Sequence, residues 1–295
     1  MNNFSEGKVI AIIAGSGRFP FHVAQEAKRQ GLTVVALGVA GWVDRSLSSR
    51  VDAFEEVAVG HLRHVIDRLK SHGVRQAIMA GKVTKEVLLD RHTMFDAEAL
   101  SLLRGAHELS VPALLGAIGS RLAQEGITLL DSSTFLRDSL CPPGVVTARS
   151  PSASESSDIQ VGLQAARAIT ALDIGQTVVV KGRVVVAVEA LEGTDATIRR
   201  ARALVLRRAQ DEHPEQSRGT LAGEGLVVVK MAAANQDRRF DLPVIGPDTM
   251  ATLTDAGVSC LALEAGATLL LDRQALLAAA NAAAICLIGV EHDPS

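Results

Sequence analysis

Short apolar runs, each closed by glycine, proline or a polar cluster, alternate along the first half of this chain with amphipathic stretches of helical period. Lys8 to Ala14 is a Val/Ile run, Gly15-Ser16-Gly17 a tight turn, and Arg18 to Gln30 a helical pattern closed by Gly31. Thr33 to Leu37 and Phe54 to Val59 predict two further strands, His61 to His72 a helix, and Gln76 to Ala80 another strand. After Gly81 the pattern is mostly helical to Gln124, and a short strand covers Ile127 to Leu130. Strands alternating with helices in this way predict a parallel sheet covered by helices, a Rossmann-like α/β domain.

The second half is patterned differently. Cys141-Pro142-Pro143-Gly144 and the serine-rich run from Ser150 to Ser157 have the composition of a connector, which places a domain boundary near residue 145. The expected division is therefore 1–145 and 146–295. A helix from about Ser156 to Ala171 precedes two valine runs, Thr177 to Val180 and Val184 to Glu189, which flank a Lys-Gly-Arg turn and predict a hairpin. Thr194 or Asp195 can cap a helix to about Gln210. Strands are expected at Leu226 to Met231, Cys260 to Leu263, Thr268 to Leu271 and Ile285 to Val290, with one helix capped by Asp248 or Thr249 and running to Ala256 and another at Arg273 to Ala282. Ala234 to Gly246 reads as a long polar loop. The whole predicts α/β architecture: a Rossmann-like parallel-sheet domain followed by a distinct mixed α/β domain.

Composition narrows the function classes. Lys plus Arg number 30 against 33 Asp plus Glu, a net charge of −3, so nucleic acid is not an expected partner. Aromatic residues make up 3% and tyrosine is absent, which leaves few stacking platforms for single strands. The three cysteines, Cys141, Cys260 and Cys286, form no CxxC pair, which fits a reducing cytoplasm better than a disulfide or zinc framework. The N-terminal apolar run is too short for a signal-peptide core, and the stretch from Ala275 to Val290 is interrupted by Asn281 and falls short of the ~18 residues of a spanning helix.

Three constellations are candidates for chemistry. The Gly15-Ser16-Gly17 turn can aim amides at an anion, or it can serve packing alone. Pro20 replaces the third glycine of a dinucleotide fingerprint, and the second strand ends without the acid that holds a ribose, so NAD is disfavoured. The segment Lys230 to Gly246 crowds Asp237 and Asp241 beside Lys230, Arg238 and Arg239, an arrangement suited to Mg²⁺ and phosphoryl oxygens, though also to a solvated loop of ion pairs. Glu189 to Asp195 places carboxylates where a strand gives way to a helix, with plain capping by Asp195 as the simpler alternative. No GxSxG, HExxH or Walker A pattern occurs.

Taken together, Leu172-Asp173-Ile174-Gly175-Gln176, Val188 to Asp195 and Gln236 to Gly246, with Ile12 to Pro20 and Ala80 to Val83, resemble the LpxI family of UDP-2,3-diacylglucosamine pyrophosphatases over nearly the whole chain. The resemblance implies hydrolysis of UDP-2,3-diacylglucosamine to 2,3-diacylglucosamine 1-phosphate (lipid X) and UMP in lipid A biosynthesis, with water attacking the α-phosphorus, Mg²⁺ as cofactor, and the ligand held between the two domains. It makes Asp241 the essential catalytic carboxylate and a metal ligand, with Asp237, Glu189 and Asp195 as further candidate metal ligands. Gly15, Gly17, Gly81, Lys82, Gln176, Thr194, Lys230, Gln236 and Arg239 become candidate substrate contacts. It further implies a cytoplasmic enzyme that touches the inner membrane through its lipid substrate, with a homodimer as the default assembly. A different nucleotide-sugar diphosphate hydrolase, or a non-catalytic nucleotide-sugar or lipid sensor, are the competing readings, and a reductase is a weaker third.

Overall fold

The computed structural model describes residues 8–83, 93–105, 111–211, 225–232, 237–240 and 242–291. They divide into two units, one of residues 1–137 with 237–241 and one of 138–236 with 242–295.

In unit 1 the strands are β1 (Val9–Ala14), β2 (Thr33–Val39), β3 (Ala53–Val57), β4 (Gln76–Ala80) and β5 (Thr128–Leu129), in the order β3-β2-β1-β4-β5. All four pairings are parallel. The helices are α1 (Phe19–Arg29), α2 (Leu62–Ser71), α3 (Ala97–Gly105) and α4 (Val111–Gln124). Helix α1 packs on β1 and β2, while residues of α2, α3 and α4 share an apolar cluster with residues of β1, β2 and β3, among them Ala11, Val35, Leu37 and Val57. Both faces are covered, which is why β1 and β2 read as continuous rather than alternating apolar runs. The chain runs one way from β1 to β3 and then crosses back to β4, so the sheet reverses between β1 and β4, the position where open α/β sheets carry ligands at their carboxyl ends.

Unit 2 begins with β6 (Gly144–Val145) and α5 (Ala153–Ala171), then β7 (Thr177–Lys181), β8 (Val184–Val188), α6 (Thr194–Asp211), β9 (Leu226–Lys230), β10 (Val244–Ile245), α7 (Pro247–Asp255), β11 (Val258–Glu264), β12 (Leu269–Leu270), α8 (Arg273–Ala282) and β13 (Cys286–Val290). Its main sheet has the order β6-β13-β11-β9-β7-β8. The three central strands are parallel, and β6, β7 and β8 run antiparallel to their neighbours, so the sheet is mixed. Strands β10 and β12 form a separate parallel pair. Strand residues alternate between two buried clusters: Val178, Val180, Val227 and Val229 face Ile159 and Ala166 of α5, while Val179, Val228 and Leu261 face Ile198, Leu253 and Leu276 of α6, α7 and α8. The parallel-sheet domain and the separate mixed domain are the α/β architecture expected from the sequence.

Two local expectations are corrected. The serine-rich stretch is not all connector: α5 starts at Ala153, with Ser152 accepting from the Glu155 amide and Glu155 reaching back to the Ser152 amide, a full capping box. The residue types that suggest a linker are here the start signal of a helix. Helix α7 begins at Pro247 with Gly246 as its N-cap, ahead of the expected caps Asp248 and Thr249, because proline suits the first helical turn, where no amide is needed.

Candidate functional site

At one edge of the unit 2 sheet, the carboxyl end of β9, the amino end of β7 and the carboxyl end of β8 come together, since Thr177 pairs with Lys230 and Val178 with Val188. Lys230 is 6% exposed, and Thr177 and Glu189 are buried beside it. The Lys230 Nζ donates to Thr194 Oγ1 at 2.9 Å and to Thr177 Oγ1 at 3.4 Å, and lies 4.0 Å from Glu189 Oε2. Thr194 Oγ1 donates to Glu189 Oε1 at 3.1 Å, and the Gln176 amide donates to Glu189 Oε2 at 3.3 Å. Thr194, which the sequence offers as a helix cap, here joins α6 to the Lys230 and Glu189 pair. Gln176, Glu189, Thr194 and Lys230 are thus brought together, and Thr177, which sequence reasoning missed, is the residue that completes the cluster. A threonine opening a strand of four fully buried residues was the available signal.

An ammonium carries three donors. Two go to hydroxyls, and a carboxylate 4.0 Å away balances the charge without saturating it. A buried cation so arranged can still donate to a phosphoryl oxygen, with neutral hydroxyls rather than a tight ion pair holding it in place. Asp195 lies in the first turn of α6, and its Oδ1 is buried with no hydrogen-bond partner among the described residues.

In unit 1, Gly15, Gly17, Gly81 and Lys82 stand at the carboxyl ends of β1 and β4, where the sheet reverses. The two loops are interlocked. The Gly15 amide donates to Ala80 O at 2.8 Å, the Ser16 amide to Lys82 O at 2.9 Å, and the Lys82 amide to Ser16 O at 3.0 Å. A Cβ on Gly15 would lie 2.7 Å from Lys82 O, and one on Gly81 would lie 2.7 Å from Ser16 O. These glycines let two backbones touch, and the amides of residues 15 and 16 are bound to the neighbouring loop rather than directed at a ligand. Lys82 is exposed at the same edge.

Asp237, Arg238, Arg239 and Phe240 belong to unit 1, not to the unit that precedes and follows them in sequence. Ser132 fastens this segment: its amide donates to Arg238 O at 2.9 Å and its hydroxyl to Arg239 O at 3.1 Å. The Phe240 ring packs into the unit 1 core, so close to Gly119 that a Cβ there would lie 2.9 Å from Phe240 Cζ. Arg239 forms a two-pronged contact with Asp237, Nε to Oδ1 at 2.9 Å and Nη2 to Oδ2 at 2.6 Å, which holds the Asp237 carboxyl below its ordinary value. The guanidinium also sits 4.9 Å from the Phe240 ring centroid. Gln236 and Asp241, both singled out in the sequence, lie outside the described residues. Among those described, no three His, Cys, Asp or Glu side chains gather into a group able to hold a metal. The oxygens of Glu189 and Asp237 already serve cations and amides. No described helix is long and apolar enough to cross a membrane.

Against known proteins, models of the LpxI N-terminal and C-terminal domains match residues 9–139 and 142–288. The UDP-2,3-diacylglucosamine pyrophosphatase LpxI of Caulobacter vibrioides is 30% identical over 285 residues, covering 96% of this chain and 97% of that protein. Among solved structures, the biotin carboxylase domain of the Hydrogenobacter thermophilus 2-oxoglutarate carboxylase (14% identity, TM-score 0.26) and the biotin carboxylase of Campylobacter jejuni (12%, 0.27) each align with 69% of this chain, which spans 42% and 43% of theirs. Likeness at that level carries no argument.

Proposed function

The chain belongs to the LpxI family, and on that premise we propose that it hydrolyses the pyrophosphate bond of UDP-2,3-diacylglucosamine to lipid X and UMP in lipid A biosynthesis. The observation that carries this reading is the end-to-end similarity to the Caulobacter enzyme, 96% of one chain against 97% of the other.

In the proposed reaction Asp241 orients the attacking water and takes its proton, the water oxygen bonds to the α-phosphorus, and the anhydride P–O bond breaks as lipid X departs. Lys230 neutralises phosphoryl oxygens through the donor that its two threonines leave over, and Arg239 serves as a second cation. Mg²⁺ belongs to this proposal, with Asp241 as the residue that would hold it. A hard cation takes one or two carboxylates and completes its shell with phosphates and water. The ion would supply charge neutralisation at the phosphoryl oxygens. The place of work is the cytoplasmic face of the inner membrane, reached through the lipid substrate.

The test is UMP release from UDP-2,3-diacylglucosamine by the purified chain, with Mg²⁺ and with EDTA, beside Asp241→Asn. The expected result is metal-dependent release that falls roughly a hundredfold or more in the variant; near-normal turnover by Asp241→Asn removes that residue from the mechanism. Run in ¹⁸O-water, label in UMP supports attack at the α-phosphorus. Label in lipid X moves the attack to the β-phosphorus, with UMP as the leaving group.

A further inference from the structure

Two loops at the same edge of the unit 2 sheet as Lys230 carry large apolar side chains in the open. The segment between α5 and β7 presents Leu172, 70% exposed, and Ile174, 45% exposed; the segment between β8 and α6 presents Leu191, 70% exposed. The loops touch. Gly175 abuts Glu189 so closely that a Cβ on it would lie 2.1 Å from Glu189 O, and the adjoining Gln176 amide binds the Glu189 carboxylate. Glu189 is in turn the counter-ion of Lys230. The three apolar side chains therefore sit a few residues from a buried ammonium, on segments tied to it by hydrogen bonds.

We propose that Leu172, Ile174 and Leu191 form a rim that receives the acyl chains of the substrate while its anionic part is held at Lys230. The proposal rests on the functional reading above and names the part of the protein that selects for acylation. An exposed apolar cluster beside an anion site matches a ligand that is charged at one end and hydrocarbon at the other. The charge within the rim favours a single acylated ligand over a flat docking face for an anionic bilayer. Asp173 lies between Leu172 and Ile174, so pressing that loop onto such a surface would bring a carboxylate against its headgroups.

The test uses the full chain, the double variant Leu172→Ser/Leu191→Ser, and Leu204→Ser as a control at an exposed leucine elsewhere on α6. Hydrolysis of long- and short-chain UDP-2,3-diacylglucosamine and calorimetric binding of long- and short-chain lipid X are measured separately, below micelle concentrations. In the wild type kcat/KM rises with chain length, by about three- to fourfold for each methylene that reaches the rim. The double variant loses at least tenfold in kcat/KM and in lipid X affinity with long chains, through KM rather than kcat, and stays within twofold with short ones, while Leu204→Ser matches the wild type. A double variant that keeps the wild-type chain-length dependence, or that loses equally with long and short chains, overturns the rim. Absence of hydrolysis by the wild type, with chain-length-dependent lipid X binding that the double variant loses, overturns the pyrophosphatase reading and leaves the rim standing.

Discussion

Replacing Gly15 with alanine separates two roles for the glycine turn of unit 1, anion binding and close packing. The new methyl would lie 2.7 Å from Lys82 O and 2.9 Å from Gly81 C, atoms of a backbone that the paired Ser16 and Lys82 hydrogen bonds hold in place. No flexible side chain can yield, so relief means prising the two loops apart. Overpacking of this kind costs about 1–3 kcal/mol. Gly81→Ala meets the same obstruction, 2.7 Å from Ser16 O, and adds a φ of +94°, worth about a further 1–2 kcal/mol. Gly17, at φ +91°, has nothing within 4 Å, so Gly17→Ala carries the conformational cost alone. The expected order of destabilisation is Gly81, then Gly15, then Gly17. Trp42, the only tryptophan, lies in unit 1, so its fluorescence follows the melting of that unit, at about 3 °C per kcal/mol. A Gly15→Ala protein that melts with the wild type while its KM rises would refute the packing argument and return the residue to ligand binding.

Two further outcomes are expected. On the role proposed for Asp241, Gly119→Ala, whose methyl pushes on Phe240 Cζ at 2.9 Å, lowers kcat through the residue next to that ring; Phe240→Leu removes that atom, and the double variant recovers at least half of the logarithmic loss, whereas additive losses would exclude coupling through the ring. Glu155 is held down to about 2, chiefly by Arg149, so its folded pKa lies below the unfolded value and the stabilisation is present above about pH 4.5 and fades as pH falls toward 2. All the partners of the Glu155 carboxylate together, Arg149 first, contribute on the order of 2–3 kcal/mol at neutral pH, and calorimetry should find the gap in melting temperature between wild type and Glu155→Gln closing over that window. A gap that does not change with pH contradicts the reading.

The elements that bury both faces were legible because their cause is local. Thr177-Val178-Val179-Val180-Lys181 and Leu226-Val227-Val228-Val229-Lys230 each place five buried residues in a row, the continuous apolar pattern of a strand covered on both faces, whereas the valine run of β8 is largely exposed although it reads the same way. Strands β6 and β10 were not legible, since Gly144-Val145 follows a Pro-Pro-Gly connector and Val244-Ile245 closes a polar loop, so each is defined by its partner's backbone rather than by an apolar run of its own. The candidate site was legible residue by residue but not as an arrangement. Glu189, Thr194 and Lys230 were each singled out, yet only the strand order makes them neighbours and adds Thr177. Likewise no local pattern shows that Gly15 and Gly81 need their missing side chains because of each other.

The return of residues 237–241 to unit 1 sets an order on biosynthesis. When a growing chain has reached Arg137, every strand and helix of the first sheet has been made, but the ring that fills the space beside Gly119 and Leu129 has not. About a hundred residues of the second unit, through β9, must be translated before Phe240 arrives and Ser132 finds its carbonyl partners. Until then the nascent domain leaves uncovered the apolar surface against which the half-buried Phe240 ring packs, a sticky patch on a core already formed. The first unit is therefore the earlier to start folding, yet it is finished only by a residue delivered late, and a chain cut at the boundary between the units lacks part of its own interior.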